Sequence, residues 1–164
     1  TQFVNVSFVG TRALAKALGP AADGVMISQV MLPPTANKFP LIVEYQRALK
    51  AAGVNDFSYT SLEGYVAAKV MVEALRKGGD ASRDALIRAL EGLRNVDLGG
   101  FTISFGPDNH NASSFVEMTV LNKNGEIRYL RGNGYVGTLG QVTPPHRAPR
   151  LAIFMILSLR PASD

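Results

Sequence analysis

Apolar and polar positions change their period along the chain. Phe3-Val4-Asn5-Val6-Ser7-Phe8-Val9 is short and rich in β-branched and aromatic residues, and Gly10 follows, which predicts a strand over 3–9. Thr11 suits the N-cap of a short helix from Arg12 to Leu18, stopped by Gly19-Pro20. Gly24 to Met31 is mostly apolar and predicts a second strand, ended before Pro33-Pro34. A helix is expected from about Phe39 to Ala52, burying Leu41, Val43, Tyr45, Ala48 and Leu49, with Gly53 behind it. Thr60-Ser61-Leu62-Glu63 has the form of a capping box, in which the Thr60 hydroxyl and the Glu63 carboxylate each take the other's backbone N–H. The helix it opens runs through Tyr65 to Leu75 and closes with Arg76-Lys77 before Gly78-Gly79, cations that favour a helix C-terminus. Ser82 caps a further helix with Asp84 in its first turn and Leu86, Ile87, Leu90 and Leu93 along one side.

From Gly100 the pattern turns to alternation. Gly100 to Phe105 alternates and ends in the turn Gly106-Pro107-Asp108-Asn109. Ser114 to Leu121 is a strand, Asn122-Lys123-Asn124-Gly125 a turn, and Glu126 to Leu130 the return strand. The order β-α-β-α-α-α followed by a β-meander predicts an α/β fold with a parallel portion. No internal repeat is present.

Residues 131–164 differ in kind. They contain no Lys and no Glu, but they hold Pro144, Pro145, Pro149 and Pro161 and the apolar run Leu151 to Leu159. A membrane span needs ~20 apolar residues, so that run is too short to be one. Two readings stand side by side: a buried or edge strand, or a tail foreign to the rest of the chain. The domain division expected is therefore 1–130 and 131–164.

Charge follows the same division. Residues 1–130 carry 13 Lys/Arg against 12 Asp/Glu, and residues 131–164 carry four Arg against one Asp. The folded-looking part is nearly neutral. The overall +4 does not signal nucleic-acid affinity, because no basic stripe interleaved with aromatics accompanies it. With no cysteine, disulfides, thiolate metal sites and a cysteine nucleophile are excluded. The opening Thr1-Gln2-Phe3-Val4 shows no basic n-region of a signal peptide, and reads as a chain that begins inside a strand.

Enzyme signatures are missing. There is no Gly-rich phosphate loop, no G-x-S-x-G elbow and no close acidic pair beside a plausible base. His110 falls in the turn Asp108-Asn109-His110-Asn111 and reads as a surface residue; a metal reading with Asp108 lacks a third ligand. His146 lies in the tail. Polar residues do stand where α/β sheets bind ligands, at strand C-terminal ends and helix N-termini. Ser7 and Phe8 end the first strand. Tyr59, Thr60 and Ser61 open the capped helix, whose free N–H groups suit a carboxylate. Against this, Thr60 and Glu63 have a purely structural reading as helix caps, and Tyr59 is open to both.

Several stretches resemble one family. They are Phe3 to Gly10, Ala22-Asp23-Gly24-Val25, Glu44-Tyr45, Ser61 to Ala68 with Glu73-Ala74-Leu75, Ala85 to Glu91, Gly99-Gly100-Phe101 and Phe105-Gly106-Pro107. In order and spacing over about residues 3–130 they resemble the leucine/isoleucine/valine-binding proteins, the type I periplasmic solute-binding or "Venus flytrap" receptors. The resemblance implies part of one lobe of that fold: a parallel sheet flanked by helices, with the late β-meander. It implies a non-enzymatic, exported, periplasmic receptor, free of cofactors, that passes a small-molecule ligand to an ABC permease. A ligand-sensing regulatory domain of the same fold is the alternative. This stretch corresponds to the later part of the second lobe, so the ligand cleft as the family uses it would be incomplete.

The resemblance also bears on residues. In amino-acid-binding members an acidic residue near the end of this first strand holds the ligand ammonium; the matching position here is Ser7, which is neutral and cannot form that ion pair. That leaves aliphatic and aromatic carboxylates open beside α-amino acids. A second family contact falls at Tyr59 or Thr60. The ligand set expected is Ser7, Phe8, Tyr59, Thr60 and Ser61. Unpaired strand edges and the run Leu151 to Leu159 further suggest association of copies of the chain; a tail folded back on its own lobe would instead leave a monomer.

Overall fold

The computed structural model of the 164-residue chain describes residues 2–79 and 82–130. The expectations for the tail, including His146 and Leu151 to Leu159, lie outside the described residues. The described residues fall into two compact units, 2–65 with 115–130, and 66–79 with 82–114.

The first unit is built on a four-stranded sheet. Its strands are β1 (Val4–Val6), β2 (Met26–Gln29), β5 (Glu117–Leu121) and β6 (Ile127–Tyr129), in the order β1-β2-β5-β6. β1 runs parallel to β2 with Val4, Asn5 and Val6 opposite Met26, Ile27 and Ser28. Helix α1 (Thr11–Leu18) makes the crossover, as the β-α-β pattern predicts. β5 lies antiparallel to β2, and β6 antiparallel to β5. The α/β expectation holds, but the sheet is mixed: among the described residues only the β1–β2 pair is parallel. The late hairpin supplies two of its four strands, and Asn122 Oδ1 closes its turn by accepting from the N–H groups of Asn124 and Glu126 at 2.9 Å each.

Both early strands are shorter than the apolar pattern predicts. Asn5 Oδ1 accepts from the Val6 N–H at 2.8 Å, a local bond that competes with the ladder. Ser7–Val9 then closes as a 3-10 turn, with Gly10 N donating to Ser7 O at 3.1 Å. Gly10, at φ +69°, occupies the N-cap of α1 in place of Thr11, in a backbone conformation that glycine adopts without steric cost. Thr11 is instead the first helical residue and is buried. Its Oγ1 accepts from Gln29 Nε2 at 2.9 Å.

The sheet core is Ile27, Val25, Leu121, Ala22 and Ala15, with Leu14 and Ile127 packed on it. Helix α2 (Pro40–Ala51) buries Leu41, Ile42 and Tyr45. Val43, expected inside, is 48% exposed. At 100° per residue it points away from the stripe of Leu41 and Tyr45, and Ile42 takes its place.

The second unit begins within helix α3 (Tyr59–Gly78), which belongs to the first unit through Tyr65. Val66, Val70 and Ala74 recur every fourth residue and are buried. Helix α4 (Arg83–Glu91) buries Ala85 and Leu90 and is capped by Ser82 Oγ, which accepts from Ala85 N, as expected from sequence. The two-stranded pair β3 (Val96–Asp97) and β4 (Thr102–Ile103) follows. Its turn is held by Asp97, whose Oδ1 accepts from the N–H groups of Gly99 and Gly100 at 2.9 and 2.6 Å. Leu93, Leu98, Phe101, Ile103, Phe105 and Ala112 complete the apolar interior of this unit. Among the described residues no helix is long and apolar enough to cross a membrane.

Candidate functional site

The five candidate residues all lie in the first unit. Ser7 and Phe8 sit on the 3-10 turn at the C-terminal end of β1. Phe8 is 75% exposed, a large apolar ring directed into solvent rather than into the core.

The other three open α3. The cap here is not the one the sequence suggested. Ser58 and Ser61 form the reciprocal pair: Ser61 N donates to Ser58 Oγ and Ser58 N to Ser61 Oγ, both at 3.2 Å. This is the capping-box logic shifted two residues towards the N-terminus, with a serine doing the work assigned to Glu63. Thr60 is exposed and Glu63 lies beyond the first turn. The shift follows from Tyr45. Its buried phenol oxygen accepts from Ser58 N at 3.2 Å and lies 2.6 Å from Ser61 Oγ. A fully buried tyrosine needs partners for its hydroxyl, and Ser58 and Ser61 supply them.

Tyr59 points elsewhere. Its hydroxyl donates to Tyr129 Oη at 3.3 Å, which ties the start of α3 to β6. Burial pushes the Tyr59 phenol well above its ordinary range, reinforced by Tyr129 and by the negative charge of Glu117 on β5. Burial likewise raises Tyr129. Both phenols therefore remain neutral hydrogen-bonding groups at neutral pH. Tyr65 donates to Glu44 Oε1 at 2.7 Å, and burial followed by that bond pushes its phenol up to about 12.

The structure thus gathers Tyr59, Thr60 and Ser61 on one helix start and sets Ser7 and Phe8 on a separate turn. Among the described residues no hydrogen bond links the two groups. Sequence reasoning placed Tyr45 on the buried face of α2 but gave its hydroxyl no partner, and it missed Ser58, Tyr129 and Glu117. A Ser-x-x-Ser spacing was available for Ser58 and Ser61. Nothing local could have paired Tyr59 with Tyr129, since that depends on the strand order. A groove of about 410 Å³ lined by Asn37, Lys38, Pro40, Val43, Glu44 and Arg47 contains none of the five candidates. In the second unit His110 is exposed, as expected, with Nε2 3.0 Å from Glu91 Oε1. Among the described residues no cluster of three or more metal-ligating side chains occurs.

The described sheet is thus mixed, with an exposed turn at the C-terminal end of β1 and a capped start to α3. The family model for periplasmic binding proteins matches residues 1–126, and the chain belongs to that family. Solved structures agree. A possible leucine/isoleucine/valine-binding protein from Rhodopirellula baltica SH 1 is 34% identical with a TM-score of 0.72, over 79% of this chain and 36% of that one. A substrate-binding periplasmic protein from Ralstonia solanacearum is 34% identical with a TM-score of 0.71, over 79% and 38%. An extracellular ligand-binding receptor from Verminephrobacter eiseniae is 29% identical with a TM-score of 0.70, over 79% and 38%. The chain therefore spans little more than a third of the length of these relatives. The comparison with curated proteins finds no match.

Proposed function

We propose that this chain is part of the ligand-binding receptor of an ABC importer, acting in the periplasm without catalysis or cofactor. Its ligand is a branched-chain amino acid or a related small carboxylate. The observation that carries this reading is the family match over residues 1–126, together with 34% identity to the Rhodopirellula protein described as a possible leucine/isoleucine/valine-binding protein. The ligand would meet Ser7 and Phe8 on one side and Tyr59, Thr60 and Ser61 on the other, through an aromatic wall, hydroxyls and helix N–H groups. Neutral Ser7 favours carboxylates over ligands that need an anchored ammonium. Partners in this reading are the permease and the small molecule, with no nucleic acid. The proposal extends to association of copies along β1, an edge strand among the described residues whose Val4 and Val6 are exposed, as is Phe3 just before it, and which carries no charge to discourage pairing.

Calorimetric titration of the full-length protein with leucine, isoleucine, valine and phenylacetate tests the ligand. Binding by one of them, weakened by Ser7→Ala and by Tyr59→Ala, is the expected result. Affinity unchanged in both variants would remove the site assignment, and sedimentation as a clean monomer would remove the association.

A further inference from the structure

Arg12 joins two stretches that the sequence keeps far apart. It is the second residue of α1 and stands four positions after Phe8. Its guanidinium forms an ion pair with Asp56, and its Nη2 donates to the carbonyl oxygen of Phe57 at 2.8 Å, across 45 residues of sequence. Phe57 lies two positions before Tyr59. The Phe57 ring is itself held edge-on by Tyr45, with centroids 5.8 Å apart, and the Lys50 ammonium stands 5.7 Å from its centroid. The chain that leads into α3 is thus held both by α2, through Tyr45 and Lys50, and by α1, through Arg12, whose helix directly follows the Ser7–Phe8 turn.

The chemistry of this contact is specific. One planar guanidinium makes a carboxylate contact and a carbonyl contact at once, which the single point charge of a lysine cannot reproduce. Both charged side chains are mostly exposed, at 58% and 74%, so the ion pair adds little to global stability. What it can do is local: it ties the start of α1 to the segment that leads into α3. We infer that Arg12 is a positioning residue for the binding site, holding the Ser7–Phe8 turn in register with the N-terminus of α3. The inference rests on the proposed assignment of those two segments to the ligand.

Amide hydrogen exchange in the full-length protein tests the tether without any ligand. In Arg12→Gln, amides of residues 56–61 should exchange about three- to tenfold faster, the loss expected for one exposed ion pair and one charge-assisted hydrogen bond. The β5–β6 hairpin and the thermal midpoint should stay as in the parent. Arg12→Lys, which keeps the charge and loses the fork, should fall between. Unchanged exchange at 56–61 in Arg12→Gln overturns the inference. Titration of the same variants with leucine and phenylacetate adds the functional arm: affinity should fall by a similar factor, mainly through faster dissociation. If the parent binds and Arg12→Gln binds equally well, the positioning role is overturned. A parent that binds neither compound sinks the proposed ligand class instead, and the exchange comparison alone then decides the tether.

Discussion

The hydroxyl oxygens of Tyr45 and Ser61 lie 2.6 Å apart, which anchors the first turn of α3 to a phenol that is itself 0% exposed. The same Ser61 hydroxyl accepts from Ser58 N. One small side chain therefore serves a helix cap and a buried tyrosine together.

Ser61→Ala should consequently cost more than an ordinary cap. The loss of a capping partner is worth about 1 kcal/mol, and leaving the Tyr45 hydroxyl short of a partner adds about 1 kcal/mol more. Urea unfolding should show a lower midpoint at unchanged slope. A change below ~0.5 kcal/mol would mean that the Tyr45–Ser61 contact contributes nothing beyond packing.

A second buried network makes a comparative prediction. Gln29 is 0% exposed, and its Nε2 donates to Thr11 Oγ1 at 2.9 Å and to Thr119 Oγ1 at 3.2 Å. Thr119 Oγ1 donates in turn to Ile27 O at 2.9 Å. Gln29 Oε1 has no partner among the described residues. Thr119→Val removes an acceptor and a donor and leaves the Gln29 amide only its bond to Thr11, so it should cost ~1–3 kcal/mol. Gln29→Met removes the unsatisfied oxygen while Thr119 keeps its bond to Ile27, and should cost less. Equal or reversed costs in parallel denaturation curves would contradict this network.

The elements themselves were legible because hydrophobic period and turn chemistry act locally. The α2 and α4 helices, the parallel β1–β2 pair across α1 and the Asn122–Gly125 turn all stand where the pattern places them. What failed depended on partners distant in sequence. Thr11 looked like a cap because caps are Ser or Thr before a helix, but Gln29 claims its hydroxyl. Thr60 and Glu63 looked like a capping box, but Tyr45 favours Ser58 and Ser61. In the candidate site, the sequence set Ser7 and Phe8 at the end of the first strand, whereas they form the 3-10 turn that follows a shorter β1. The Tyr59–Tyr129 contact was not, because it requires knowing that β6 joins the main sheet beside β5.

Tyrosine ionisation should reveal that hidden contact. Tyr59, Tyr65 and Tyr129 all have folded-state pKa values above the ordinary 10.0, with Tyr65 at about 12. Such groups hold their proton longer when folded. Their stabilising contribution is complete below pH 10, and it is lost as the unfolded chain ionises and pH climbs towards the folded values. Stability should therefore fall between about pH 10 and 12. Phenolate absorbance should rise late in the native protein and sharply on unfolding. Tyr59→Phe should remove the most delayed part of that titration. A native titration in which all tyrosines ionise near 10 would show that these phenols are open to water.

Glu63 tests the capping assignment from the opposite side. The carboxyl is half-buried on α3, and burial pushes it above its ordinary value of 4.5. The sign is unfavourable at neutral pH. Below the unfolded pKa the group is protonated in both states and costs nothing; as pH rises through the folded value, the unfolded chain releases the proton more readily, and stability is lost. Glu63→Gln keeps the shape and the helix propensity and removes the charge. It should raise the unfolding midpoint at pH 7, and the gain should vanish below about pH 4. The gain will be small, because much of the side chain still meets water, which screens the cost of its charge. If Glu63 instead closed a capping box with Thr60, its carboxylate would accept a backbone N–H at the positive end of the helix dipole. Neutralising it would then cost stability at pH 7. Thermal unfolding of the two proteins across that pH range separates the cases by sign alone, and a lower midpoint for Glu63→Gln at pH 7 would return the cap to Thr60 and Glu63.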